Sequence, residues 1–239
     1  MTFPVFWIIM VRPPIDRKYR LVVFDWDGTL ADSLQQIVSA MEHAIDMHGL
    51  ARPGTGEIRH GIGLGLGELI SRLFPDLEPE IQLQVAKAYR ERYLATAADV
   101  TALFPGVEET IKTLHETGYY LAVATGKSRR GLERSLGQTN LSGYFHVTRC
   151  ADETFSKPHP QMLREIMELL DIPPEKTLMV GDSEHDMQMA KNAGVSPLAV
   201  NYGAQDSRRL LEFNPVMVLP SLPEITPWLE RQQELDPDI

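Results

Sequence analysis

Leu21-Val22-Val23-Phe24-Asp25-Trp26-Asp27-Gly28-Thr29-Leu30 decides how the rest of this 239-residue chain is read. Four consecutive apolar residues predict a buried strand, which runs into two carboxylates one residue apart and then a Gly-Thr turn. Side chains two apart on an extended chain point to the same side, so Asp25 and Asp27 face one site while Trp26 turns away. Like charges this close repel unless a cation, a shared proton or hydrogen bonds offset them, and an adjacent metal is the expected compensation.

Downstream of this strand, Leu34, Ile37, Val38, Met41, Ala44, Ile45 and His48 recur at helical spacing after a Ser33 N-cap, and Gly49 ends the run. Residues 51–67 are rich in glycine and polar groups, and two further helical stretches follow, at 66–74 and from about Pro79. No convincing strand lies between Asp32 and Leu103, so a helical insertion separates the first strand from the rest of the sheet. From Phe104 onward helices alternate with strands expected at 119–124, 144–148, 177–180, 197–201 and 216–219. That alternation predicts a parallel α/β sheet, doubly wound and covered on both faces, with ligands bound beyond the strands' carboxyl ends.

The candidate chemical residues all fall at such ends. Thr125 follows Leu121-Ala122-Val123-Ala124, and with Gly126 it pairs a hydroxyl with the amides of a helix start, which suits a phosphoryl group as well as an ordinary N-cap. Gly126-Lys127-Ser128 looks like the end of a Walker phosphate loop, but the required first glycine falls at Leu121. Lys157 stands in Ser156-Lys157-Pro158-His159-Pro160, where two prolines restrict the loop that carries it. Asp182 follows Leu178-Met179-Val180-Gly181 and opens Asp182-Ser183-Glu184-His185-Asp186. Ser183 and Asp186 of this run also read as a capping pair, and His185 is expected to face solvent.

Together these segments resemble, in order, the motifs of the haloacid dehalogenase-like (HAD) superfamily of phosphotransferases. Asp25-Trp26-Asp27-Gly28-Thr29-Leu30 matches DxDGT[LV], Thr125 matches the strand-closing Thr or Ser, Lys157 the Lys-Pro-x-Pro pattern, and residues 181–186 match GDSxxD. The resemblance implies a Rossmann-like core at 19–31 and 104–239, an all-helical cap at 32–103 and an N-terminal extension at 1–18. It implies a phosphatase in which Asp25 is the nucleophile and Asp27 the general acid and base, while Thr125, Gly126 and Lys157 bind phosphate. Mg²⁺ would be held by Asp25, the Asp27 backbone carbonyl and Asp182, with Asp186 holding a coordinated water or orienting its neighbours. An acid at Asp27 separates the chain from dehalogenase and phosphonate-cleaving relatives, and the only lysine of residues 32–103, Lys87, has polar flanks.

Within the phosphatases the chain is most similar to phosphoglycolate phosphatases. Arg59 and His60, in the loop at 57–67, are candidates to meet an anionic substrate; a plain surface loop is the alternative. A sugar phosphomutase or pyrophosphatase of the same architecture, and a non-catalytic phospholigand-binding protein, are the competing expectations.

Composition narrows the partners. The formal charge is −10 and the pI about 5.2, which argues against nucleic acid and anionic membranes as general partners and leaves room for a small phosphorylated metabolite. The histidines show no zinc spacing, so oxygen ligands and Mg²⁺ fit better. The apolar start at 1–11 is too short to span a bilayer. A single cysteine, Cys150, excludes an intrachain disulfide, so a cytoplasmic monomer or homodimer is expected.

Overall fold

A computed structural model of the chain describes residues 17–54, 56–96 and 102–234. The expected extension therefore lies outside the described residues, save for Arg17 and Lys18.

The first strand, β1 (Leu21–Phe24), is followed by helices α1 (Leu34–Met47), α2 (Glu57–His60), α3 (Leu66–Leu73) and α4 (Pro79–Thr96). The alternating part comprises α5 (Val107–Glu116), β2 (Tyr120–Thr125), α6 (Arg129–Thr139), β3 (Val147–Cys150), α7 (Gln161–Leu170), β4 (Thr177–Gly181) and α8 (Glu184–Ala193). It ends with β5 (Ser196–Val200), α9 (Ser207–Leu211), β6 (Val218–Leu219) and α10 (Ile225–Glu234). The strands form one parallel sheet in the order β3-β2-β1-β4-β5-β6, a doubly wound Rossmann-like arrangement whose order reverses between β1 and β4.

Period-two alternation sorts the strand side chains onto two faces. Val22, Phe24, Leu121, Val123, Leu178 and Val180 pack with α5, α6 and α10, while Leu21, Val23, Ala122, Ala124 and Met179 pack with α7 and α8. Both faces are apolar because both are covered. The inserted helices carry a separate apolar cluster of their own, built from Met41, Ala44 and Ile45 of α1, Ile58 of α2, Leu69 and Ile70 of α3 and Val85 of α4.

Two local expectations are corrected. The third strand starts three residues late, because the Tyr144 amide turns back to the Leu141 carbonyl and the ladder begins only when His146 donates to Leu121. Ser33 stands at the N-cap of α1 without capping it, since its hydroxyl is spent on Asp27 instead.

Candidate active site

Register brings the strand-end residues together. Phe24 pairs with Val123 on one side and Val180 on the other, so Asp25, Thr125 and Asp182 leave three adjacent strands within two residues of a common line. Thr125 is in turn paired with Cys150 at the end of β3, whose following loop delivers Lys157. Asp25, Thr125, Lys157, Asp182 and Asp186 are all buried, each at 1% exposure or less. Trp26 turns the other way, as expected, into the core against Phe145.

Lys157 is the cation of this cluster. Its ammonium donates to Asp25 Oδ1 at 2.6 Å and to Asp186 Oδ1 at 2.7 Å. Burial disfavours a charged lysine, but the two carboxylates more than offset it and hold the ammonium above its ordinary range. Asp186 makes the capping pair that the sequence suggested. One oxygen takes the lysine while the other accepts from the Ser183 amide and hydroxyl, completing a capping box at the start of α8.

Asp182 is oriented from two sides, by the Thr29 hydroxyl at 3.0 Å and the Ala204 amide at 2.6 Å. Its carboxylate lies so close over Gly28 and Gly203 that a Cβ at either would overlap it, and Gly28 also has φ +88°, which favours glycine. Burial pushes Asp182 up to about 7, with Asp186 adding to the effect. Asp25 is raised well above its ordinary value by burial, partly countered by Lys157.

Asp25, Asp182 and Asp186 each present one carboxylate oxygen within 4.8 Å of the others. Asp25 Oδ2 is buried and has no hydrogen-bond partner. A compact set of buried oxygens with one orphaned acceptor fits a hard cation such as Mg²⁺.

The Asp27 carboxylate stands outside this trio. It accepts from the Ser33 hydroxyl at 2.5 Å and from the Lys127 ammonium at 2.9 and 3.1 Å. Lys127 also donates to the Tyr93 hydroxyl of α4 at 3.1 Å. Burial works against its charge, yet Asp27 and Tyr93 raise it overall. Nothing in the sequence tied Lys127, Tyr93 or Ser33 to Asp27. Lys127 was visible only as part of a failed Walker match, and nothing local ties Tyr93, far along the chain, to Asp27.

Thr125 Oγ1 accepts from the Lys127 amide at 3.2 Å, leaving its own hydroxyl proton free to donate. Gly126 next to it lies directly beneath the carbonyls of Gly63 and Leu64.

Arg59 comes to the edge of the site but its side chain is engaged with protein, and His60 is held there through its backbone carbonyl. The Arg59 guanidinium donates to the carbonyls of Ala204 and Gly203, at 3.1 and 3.2 Å. The His60 carbonyl accepts from Gln205 and, at 3.0 Å, from His185 Nε2. This corrects the expectation for His185, which is buried and turned toward residue 60, with burial lowering its basicity. The Gly65 amide donates to Ser156 at 2.8 Å, tying the same inserted segment to the Lys157 loop.

Comparison with known proteins gives the family. The family model described as haloacid dehalogenase-like hydrolase matches residues 22–200. Pyrophosphatase PpaX of Halalkalibacterium halodurans is 33% identical over 205 residues, covering 85% of this chain and 94% of the relative. Phosphoglycolate phosphatase of Vibrio vulnificus is 33% identical over 220 residues, covering 87% and 95%. Among solved structures, one from Bacteroides fragilis described as a haloacid dehalogenase-like hydrolase superposes with a TM-score of 0.81 at 26% identity, covering 87% of this chain and 100% of that one. The chain belongs to the haloacid dehalogenase-like hydrolase family and is an enzyme of its phosphatase branch.

Proposed function

We propose that this enzyme is a Mg²⁺-dependent hydrolase of a small phosphorylated metabolite, working through an aspartyl-phosphate on Asp25. The observation that carries the reading is the state of the Asp25 carboxylate, with one oxygen pinned by Lys157 and the other buried and bare.

Asp25 attacks the phosphorus in line, its carboxylate oxygen forming the new bond as the ester bond breaks. The leaving oxygen takes the electron pair and a proton from Asp27, which acts in its protonated form and gives up one contact with Lys127 to donate it. Asp27, now a carboxylate, takes a proton from a water whose oxygen attacks the phosphorus, and phosphate departs with Asp25 restored. Lys157 spans nucleophile and phosphoryl oxygens and offsets the charge that gathers there. Thr125 and the Gly126 amide hold the phosphoryl group. Asp25 and Asp182, with the Asp27 backbone carbonyl, would hold Mg²⁺, and Asp186 a coordinated water. The ion would neutralise phosphoryl charge and screen it from the anionic nucleophile.

In this reading residues 32–103 act as a cap over a core at 19–31 and 104–239, and Arg59 and His60 serve to close it. A cytoplasmic monomer or homodimer suits a chain with one buried thiol and no described helix long and apolar enough to cross a membrane. Relatives named for phosphoglycolate and for pyrophosphate support a small, highly charged substrate.

The test is release of inorganic phosphate from 2-phosphoglycolate, pyrophosphate and an aryl phosphate, with and without Mg²⁺. Asp25→Asn should remove turnover while the fold, followed by circular dichroism, is retained. Undiminished turnover in that variant would overturn the assignment.

A further inference from the structure

We propose that Lys127 selects substrates by the charge of their departing half, gripping an anionic group carried two or three bonds beyond the scissile oxygen. The preferred substrates are then phosphate esters or anhydrides whose leaving group is itself an anion. This rests on the phosphatase reading above and narrows it.

Two lysines divide the labour of this site. Among the described residues, Lys157 and Lys127 supply the buried ammonium groups of the site, with side chains 0% and 8% exposed. Lys157 is committed to Asp25 and Asp186, on the side where the phosphoryl group is transferred. Arg59, a cation of the inserted segment, is occupied by backbone carbonyls. Lys127, bonded to Asp27 and Tyr93, is the buried ammonium on the side where the leaving group must sit.

Its position follows from Asp27. A leaving oxygen that takes a proton from Asp27 lies within hydrogen-bond reach of that carboxylate, about 2.6–3.2 Å. The Lys127 ammonium is 2.9 and 3.1 Å from the same two oxygens. Leaving oxygen and ammonium are then roughly 4–6 Å apart, a gap that one or two intervening atoms and an anionic oxygen span.

The partners of Lys127 make the exchange feasible. Two of its bonds go to one carboxylate and the third to Tyr93, a neutral phenol. An anionic oxygen displacing the phenol trades a neutral acceptor for a charged one and leaves a bond to Asp27 in place. Tyr93 and its stacked neighbour Tyr89 come from α4, and Gly63 and Leu64 close over Gly126, so this wall is contributed largely by the inserted helices.

The experiment compares 2-phosphoglycolate with its neutral isostere, in which the carboxylate is a carboxamide, by kcat/KM in the Mg²⁺-loaded enzyme. The intact enzyme should favour the carboxylate by about 10- to 100-fold, the range of one charge-assisted hydrogen bond. Lys127→Met should bring the ratio close to one, and Lys127→Arg should keep most of the preference. Any general harm done to Asp27 falls on both esters and cancels in the ratio. If Lys127→Met turns over too slowly, the dissociation constants of both esters on Asp25→Asn and Asp25→Asn/Lys127→Met give the corresponding binding ratio, which should likewise fall toward one and, if unchanged, overturns the proposal. Equal kcat/KM for the two esters on the intact enzyme, or an unchanged ratio in Lys127→Met, overturns the proposal and leaves the phosphatase reading standing. Hydrolysis of neither ester overturns this proposal, and it overturns the phosphatase reading as well only if pyrophosphate and the aryl phosphate also release no phosphate.

Discussion

Gly126→Ala is the smallest change that separates the closing of this site from the stability of its fold. A Cβ there would lie 2.6 Å from the Gly63 carbonyl oxygen and nearer still to that of Leu64, where ordinary contact begins at 3.4 Å. Both obstacles are backbone, so they cannot swing aside as a side-chain tip would. The inserted segment must lift by about 1 Å from the turn that carries Thr125. Overpacking of this kind costs roughly 1–3 kcal/mol where neighbours cannot yield. Here the obstructing loop is held to the core chiefly by a few hydrogen bonds, among them Gly65 to Ser156 and Arg59 to residues 203 and 204, each worth about 0.5–1.5 kcal/mol net. The loop should therefore give way before the sheet does, so melting should change by only a few degrees. Displacing a positioning group by 1 Å can cost about 100-fold in rate, so kcat/KM should fall by that order. Steady-state phosphate release and a thermal melt on the same preparation decide the matter. Undiminished kcat/KM would refute the claim that close approach of residues 63–64 to Gly126 is needed for activity, and a collapse in melting temperature would show that the strain enters the core.

Lys157→Met should abolish turnover and destabilise the metal-free protein by about 3–5 kcal/mol, because it strands buried carboxylates; urea unfolding with and without Mg²⁺ checks this, and Mg²⁺ should recover part of the loss. The raised Asp25 and Asp182 bind protons more tightly folded than unfolded, so metal-free stability should fall as pH rises from about 4 to about 7. Denaturation midpoints across that window test the sign, and a rising profile would contradict it. Arg59→Ala should raise KM only a few-fold and speed amide exchange at residues 60–65, since it loses two hydrogen bonds to carbonyls; a loss near 100-fold would mean that Arg59 touches substrate.

Much of the site could be read directly. Asp25, Thr125, Lys157 and Asp182 each follow or neighbour a strong strand signal, and a parallel sheet brings the ends of neighbouring strands together. The burial of Trp26 followed from alternation alone. Helix and strand types were legible for the same reason, whereas the start of β3 was not. Tyr144 and Phe145 have strand-like composition but spend their backbone on a turn. His185 was misjudged because a polar residue in the first turn of a helix ordinarily faces water, and the residues that cover it come from the inserted segment.

The polar contacts of Asp27 show where such reading stops. Ser33 is six positions away and looked like a helix cap, Lys127 is a hundred positions away, and Tyr93 belongs to a separate inserted helix. Residue order and periodicity determined the strands, their parallel stacking and the acids and lysine presented at their ends, because these depend on neighbours along the chain. Only the tertiary structure decided which cation grips which carboxylate and how the inserted helices meet the core, because those pairings are set by distances across the fold that no local spacing encodes.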